Sequence, residues 1–198
     1  MLRFLLIPFL FLSLAGQTAP IPTPKPTPVR VALETGAGRV VIEVETARAR
    51  VTPANFLRYV DGRRLDGVVF YRTARVQPDF GFVQFGTLND PKRTLPPIAH
   101  EPTTLTGVKH LSGAISMARL ESGTARGDFT ISVGDQPSLD ADPSKPGDNA
   151  GYAAFGRVVE GMDVIGRILN EPISPTAGPF KGETPANPVR ILSARRLP

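Results

Sequence analysis

Arg72 and Gln84 are the residues whose types and setting point most directly to chemistry on a small ligand. Both lie in the stretch Phe70-Tyr71-Arg72-Thr73-Ala74-Arg75-Val76-Gln77-Pro78-Asp79-Phe80-Gly81-Phe82-Val83-Gln84-Phe85-Gly86, which sets an arginine between two apolar, strand-like runs. A β-rich run places Arg72 on a sheet face, where Gln84 on the next strand can hydrogen-bond the guanidinium and fix its direction. An oriented cation beside aromatic rings suits a small apolar ligand that carries a carbonyl. The register between Arg72 and Gln84 is open at this level, so either Phe80 or Phe82 can be the ring beside them.

Other chemistries find little support. The chain has no cysteine, which removes disulfides and thiolate metal sites. His100 and His110 flank a loop without His or carboxylate partners at ligand spacing, apart from the adjacent Glu101, so loop structure is expected there and no metal. The spacing Gly161 to Gly166-Arg167 imitates a phosphate-binding loop, but it lacks the Lys-Ser/Thr pair and falls within a helix. No Gly-x-Ser-x-Gly elbow, dinucleotide fingerprint or calcium loop is present.

The elements that must position these residues read as mostly strands. Val29 to Glu34 and Arg39 to Glu45 alternate apolar and polar residues around the turn Thr35-Gly36-Ala37-Gly38, a hairpin pattern. Thr52 as N-cap and Pro53 at the first helical position open a helix carrying Phe56, Leu57 and Val60 on one face, ended by Asp61-Gly62. Strands are expected over Leu65–Tyr71 and Phe82–Phe85, joined by a loop from Arg75 to Gly81. Pro91, Pro96, Pro97 and Pro102 mark a surface loop. Ile115–Ala118, Phe129–Val133, Tyr152–Val159 and Val189–Leu197 complete the strands, with loops over Arg119–Gly127 and Gly134–Gly151. Met162, Ile165, Ile168 and Leu169 share the stripe of a second helix, Gly161–Asn170, stopped before Pro172. Many strands and two short helices without a βαβ rhythm indicate a β-barrel or sandwich with helical caps.

At 198 residues, with 41% hydrophobic and 21% charged residues, the chain suits one well-buried domain. The net charge of +5 comes without a dense basic run or stacking-aromatic motif, so an ordinary basic surface is expected and not a nucleic-acid site. Met1-Leu2-Arg3 followed by the apolar run Phe4 to Leu14 has the form of a secretory signal with a cleavage site at Ser13-Leu14-Ala15. The run is short for a membrane span, the alternative being an uncleaved anchor. Residues 16–28 form a Pro-rich, extended linker, and the folded domain spans 29–198. These signals place the protein outside the cytoplasm, periplasmic or secreted. Without a long heptad pattern, a monomer is the expectation.

The ordered set Asn55-Phe56-Leu57, Phe70-Tyr71-Arg72, Gln84-Phe85-Gly86, Ser112 to Ala118, Gly127-Asp128-Phe129-Thr130-Ile131 and Phe155 to Met162 resembles the cyclophilin family of peptidyl-prolyl cis-trans isomerases. Several separated matches in one order are far more specific than any single one. The resemblance implies a mainly-β fold: a closed eight-stranded antiparallel barrel capped by two short α-helices. It implies Arg72 as the catalytic cation and Gln84 as its orienting partner. The proline pocket would be floored by Phe82, Met117, Phe129 and Leu139, with Ala118 and Arg119 binding the peptide backbone and Tyr152 at the rim. Read without the family, Phe82, Met117 and Phe129 are barrel core in preference to a pocket floor. The implied partners are proline-containing polypeptides, and no cofactor is called for.

The sequence departs from the family pattern at three points. Tyr71 stands for the usual His, Asp128 for the usual Gln and Thr130 for a second pocket Phe. Thr130 forfeits part of the roughly 1.5–3 kcal/mol that burying an aromatic contributes, and Asp128 is a candidate to neutralise Arg72. Three readings stand on these grounds: an exported isomerase, a cyclophilin-fold module that binds proline segments with little turnover, and a barrel with an unrelated ligand.

Overall fold

The computed structural model describes residues 28–176 and 178–198. The signal-like segment 1–15 and the linker to residue 27 lie outside the described residues. Eight antiparallel strands form a single sheet: β1 (Val29–Thr35), β2 (Gly38–Val44), β3 (Phe70–Gln77), β4 (Phe80–Gly86), β5 (Ala114–Met117), β6 (Asp128–Val133), β7 (Ala153–Glu160) and β8 (Ile191–Arg196). Their order in the sheet is β3-β4-β6-β5-β7-β2-β1-β8. The mainly-β, eight-stranded antiparallel expectation holds. The sheet is a curled half-barrel rather than a closed barrel, because its end strands β3 and β8 share no ladder. They meet through the single bridge Val69–Arg190 and through irregular backbone bonds such as Phe70 N–H to Val189 O at 2.9 Å.

The concave face is packed by alternate residues of each strand. Phe129 is fully buried there, with the rings of Phe56, Phe85, Tyr59 and Phe155 at centroid distances of 5.1, 5.6, 5.8 and 6.1 Å. Helix α1 (Val51–Asp61) supplies Phe56 and Tyr59, and helix α3 (Met162–Leu169) packs Val164, Ile165, Ile168 and Leu169 into the same core. A third, shorter helix, α2 (Thr103–Thr106), sits inside the stretch expected to be only a loop. It ends at Gly107, whose φ of 68° is the left-handed conformation that terminates helices.

Two local expectations change. The segment Arg75–Gly81 is a tight hairpin instead of a loop, with β3 running to Gln77 and β4 starting at Phe80. Pro78 presets one turn dihedral, and Asp79 takes a φ of 55°, which a short polar side chain tolerates. Conversely Leu65–Gly67 is turn, and the strand starts at Phe70.

Helix α1 starts at Val51 and is not capped by the Thr52 side chain. Its N-terminus is held by Glu101, 50 residues away, whose carboxylate accepts the backbone N–H groups of Arg50, Val51 and Thr52 at 2.9, 3.0 and 2.7 Å. A carboxylate can take several of the orphan N–H donors at once and also meets the positive end of the helix dipole. Burial raises the pKa of Glu101, but the backbone donors more than offset it and hold the carboxyl below its ordinary range. The stabilisation is therefore full above the unfolded value of about 4.3 and is lost as pH falls through the depressed folded value. Glu101→Ala is expected to cost about 2 kcal/mol at pH 7 in urea unfolding, with the deficit shrinking in acid below that range.

Candidate active site

One irregularity in β3 organises the cleft. Phe70 pairs with Phe85, and the next pair is Arg72 with Gln84, so Tyr71 is an extra residue on β3. Such a bulge lets successive side chains emerge on the same side, where a regular pleat would send them to opposite faces. Tyr71 and Arg72 both line the cleft, while Phe70 stays in the core against Phe85 at 5.0 Å. The antiparallel register then carries a polar row across the sheet: Arg72 opposite Gln84, Gln84 opposite Thr130 and Thr130 opposite Ser116. The hydroxyls of Ser116 and Thr130 are 2.8 Å apart and satisfy each other.

The guanidinium of Arg72 is held at several points. Its Nη1 donates to Gln84 Oε1 at 3.2 Å and its Nε to Glu183 Oε2 at 2.6 Å. Its Cζ lies over the rings of Phe82 and Phe180 at 5.0 and 4.7 Å. Nη2 has no protein partner among the described residues. The Cζ contact makes Phe82 the ring beside Arg72; Phe80 turns to Gly134, where an added Cβ would meet its ring at 2.5 Å.

Asp128 does not pair with Arg72. Its Oδ1 accepts the Tyr71 hydroxyl and the Leu88 N–H, both at 2.9 Å. Burial pushes the Asp128 carboxyl above its ordinary range, and these two hydrogen bonds only partly counter it. Burial, with the Asp128 charge adding to it, also raises the Tyr71 hydroxyl, which stays a protonated donor. The Tyr71 ring stacks on Phe180 at 5.7 Å.

The cleft encloses a cavity of about 650 Å³, within the range of small-ligand pockets. Of the residues expected there, Arg72, Gln84, Phe82, Ala118, Arg119, Asp128, Thr130, Leu139 and Tyr152 all line it. Met117 and Phe129 do not. They pair with each other one position away from Ser116 and Thr130, so the pleat turns both into the core. Arg119 lines the cavity with its guanidinium already committed. It donates to Gly151 O at 2.6 Å and pairs with Asp148 at 2.6 Å, which pins the loop before Tyr152 and leaves the side chain 5% exposed. His100 Nε2 meets Ala150 O at 2.9 Å and His110 Nδ1 meets Asp140 Oδ1 at 2.7 Å, and no cluster of three metal-ligating side chains occurs among the described residues.

Sequence reasoning missed Leu88, Asn89, Leu120, Thr124, Arg126 and Phe180 on the cavity wall. Leu120 is 92% exposed at the rim. Glu183 and Phe180 follow a Pro- and Gly-rich stretch with no periodicity to read.

The site is thus a cleft on a curled half-barrel, with an oriented arginine on the wall of a largely apolar cavity. The family model described as cyclophilin type peptidyl-prolyl cis-trans isomerase/CLD matches residues 30–196, and the chain belongs to that family, an enzyme class. A peptidyl-prolyl cis-trans isomerase of Streptomyces antibioticus is 37% identical over 166 residues, covering 82% of this chain and 95% of that protein. One of Acinetobacter baylyi is 34% identical over 166 residues, covering 82% of each chain. A crystal structure of a Cryptosporidium parvum cyclophilin type isomerase, determined in the presence of the dipeptide Ala-Pro, superposes with a TM-score of 0.67. At 18% identity, over 84% of this chain and 97% of that one, it shares the fold.

The raised Asp128 carboxyl carries a sign. A folded pKa above the unfolded one means that ionisation costs stability at neutral pH, a cost that disappears as pH falls through the folded value toward about 3.9. Asp128→Asn keeps an acceptor for Tyr71 and Leu88 without the buried charge. Its melting temperature is expected to exceed that of wild type at pH 7, with the gain vanishing near pH 4, as followed by calorimetry across that range.

Proposed function

We propose that this protein is an exported peptidyl-prolyl isomerase in which Arg72 stabilises the twisted prolyl amide. Rotation about the amide must break its resonance, a barrier of about 18–20 kcal/mol, and no bond to the substrate is made or cleaved. In the twisted state the prolyl nitrogen regains its lone pair and becomes an acceptor that the planar ground state lacks. A donor positioned to meet it binds the transition state better than the substrate. The observation that carries the reading is the guanidinium held at Nε and Nη1 with Nη2 unpartnered among the described residues, on the wall of an apolar cavity.

One charge-assisted bond is worth about 1.5–3 kcal/mol, or one to two powers of ten in rate. The cavity supplies the rest by seating the proline ring between Phe82 and Leu139 and removing water from an amide whose planar form water favours. Ala118 and Tyr152 flank the peptide, and Arg119 contributes its backbone, since its side chain is taken up by Asp148 and Gly151. The Ala-Pro dipeptide of the Cryptosporidium neighbour supports a proline-containing partner. The apolar N-terminal run supports export, with folding of exported chains as the role and a monomer as the working state. No helix among the described residues is long and apolar enough to cross a membrane.

The hydroxyl pair Thr130–Ser116 in place of an aromatic floor favours a second reading, a proline-segment binder with little turnover. One assay separates the two. Cis-to-trans relaxation of an Ala-Pro peptide is expected to accelerate with wild type, and Arg72→Ala to lower kcat/KM by about one to two powers of ten while the fold is kept. Peptide binding without acceleration would leave only the binder.

A further inference from the structure

Arg72 is held from outside the sheet by a part of the chain with no strand or helix of its own. Glu183 and Phe180 both belong to the turn Phe180–Thr184, and the turn is tightly built. Glu183 N–H donates to Phe180 O at 3.0 Å, Thr184 Oγ1 donates to Phe180 O at 2.9 Å, and Ser174 N–H donates to Thr184 O at 2.8 Å. Ile173 bridges Pro185 at its base. The turn docks on the free edge of β3, where Thr73 N–H donates to Glu183 O at 2.8 Å. That backbone bond lies one residue beyond Arg72 and sets the point from which the Glu183 carboxylate reaches Nε. Phe180 covers Tyr71 and Arg72 together, the two residues the bulge brings to the cleft.

A guanidinium on a flexible stem has many rotamers, and few of them present a given N–H to a cleft. Gln84 meets one nitrogen with a neutral acceptor at 3.2 Å, which leaves the plane free to turn about that contact. An ionised acceptor at Nε adds a second, stronger point of attachment, and two points fix the plane of a rigid fork. We propose that Glu183 is a positioning residue for the isomerisation, orienting Arg72 jointly with Gln84 while Phe180 closes over the guanidinium. This rests on Arg72 being the catalytic donor.

The test uses the protein with Glu183→Ala, Glu183→Gln, Glu183→Asp and Arg72→Ala, following catalysed exchange of an Ala-Pro peptide by NMR at saturation and peptide affinity by titration. Glu183 is partly exposed and its docking bond is to backbone, so the fold is expected to survive, with circular dichroism as the check. Glu183→Ala is expected to lower the maximal exchange rate about five- to tenfold with peptide affinity changed by less than about twofold. Glu183→Gln, which keeps an acceptor, restores most of the rate. Glu183→Asp, whose carboxylate stands one methylene short of Nε, falls between wild type and Glu183→Ala and serves should the alanine variant fold poorly. A wild-type rate in either shortened variant, or rate and affinity falling together without rescue by Gln, overturns the proposal. Arg72→Ala separates the two levels: if it retains the wild-type rate, the reading of Arg72 itself fails, whereas loss of rate there alone removes only Glu183.

Discussion

A pleated strand sends neighbouring side chains to opposite faces, and a cleft that needs Tyr71 and Arg72 on one face must break that rule once. The extra residue at Tyr71 does so, and the rest of the site depends on it. Phe70 remains opposite Phe85 in the core, so the break does not open the sheet. Arg72 then falls in register with Gln84, and through Gln84 with Thr130 and Ser116. Without the extra residue, alternation from Phe70 would place Tyr71 on the cleft side and turn Arg72 into an apolar core, where an unpaired charge is untenable.

The same constraint explains which parts of the structure could be read from the sequence. Strands with clean alternation, such as Val29–Thr35 and Gly38–Val44, and helices with a clear apolar stripe, such as Met162–Leu169, were legible because their patterns are local. The hairpin at Pro78-Asp79 was not, because the end of β3, Arg75-Val76-Gln77, is exposed at a sheet edge and shows no buried alternation. Period two also bears on the pocket residues. Phe129 and Thr130 are consecutive in a regular strand and cannot both face the cleft, so naming both set the family pattern above the pleat.

Long-range contacts lay beyond sequence reasoning for a different reason. Glu101 caps a helix from 50 residues away, and Glu183 pairs with an arginine 111 residues earlier. Neither carries a neighbour that marks its role: Glu101 follows a histidine in a Pro-rich loop, and Glu183 sits between Gly182 and Thr184. Asp128, by contrast, was correctly singled out as unusual but assigned the wrong partner. A buried carboxylate seeks donors that cost little to desolvate, and the Tyr71 hydroxyl and Leu88 N–H are nearer to hand than a guanidinium already engaged by Glu183.

The Glu183 pair also bears on what kind of ligand the cleft attracts. An arginine alone at a pocket mouth draws anions, and a phosphate or carboxylate would take both edges of its fork. Pairing with Glu183 cancels most of that field beyond the contact distance, while the N–H groups of Nη2 stay polarised. An ion pair without net charge attracts distant anions weakly, but the guanidinium within it still donates a charge-assisted hydrogen bond to a neutral acceptor. Asp128, held among Tyr71 and Leu88 on the same wall, adds an acidic group to the cleft, while the exposed Arg126 adds a basic one. A neutral amide whose nitrogen becomes basic only when twisted, the substrate proposed above, asks only for such a donor, so the pairing that weakens Arg72 as an anion binder is compatible with that proposal.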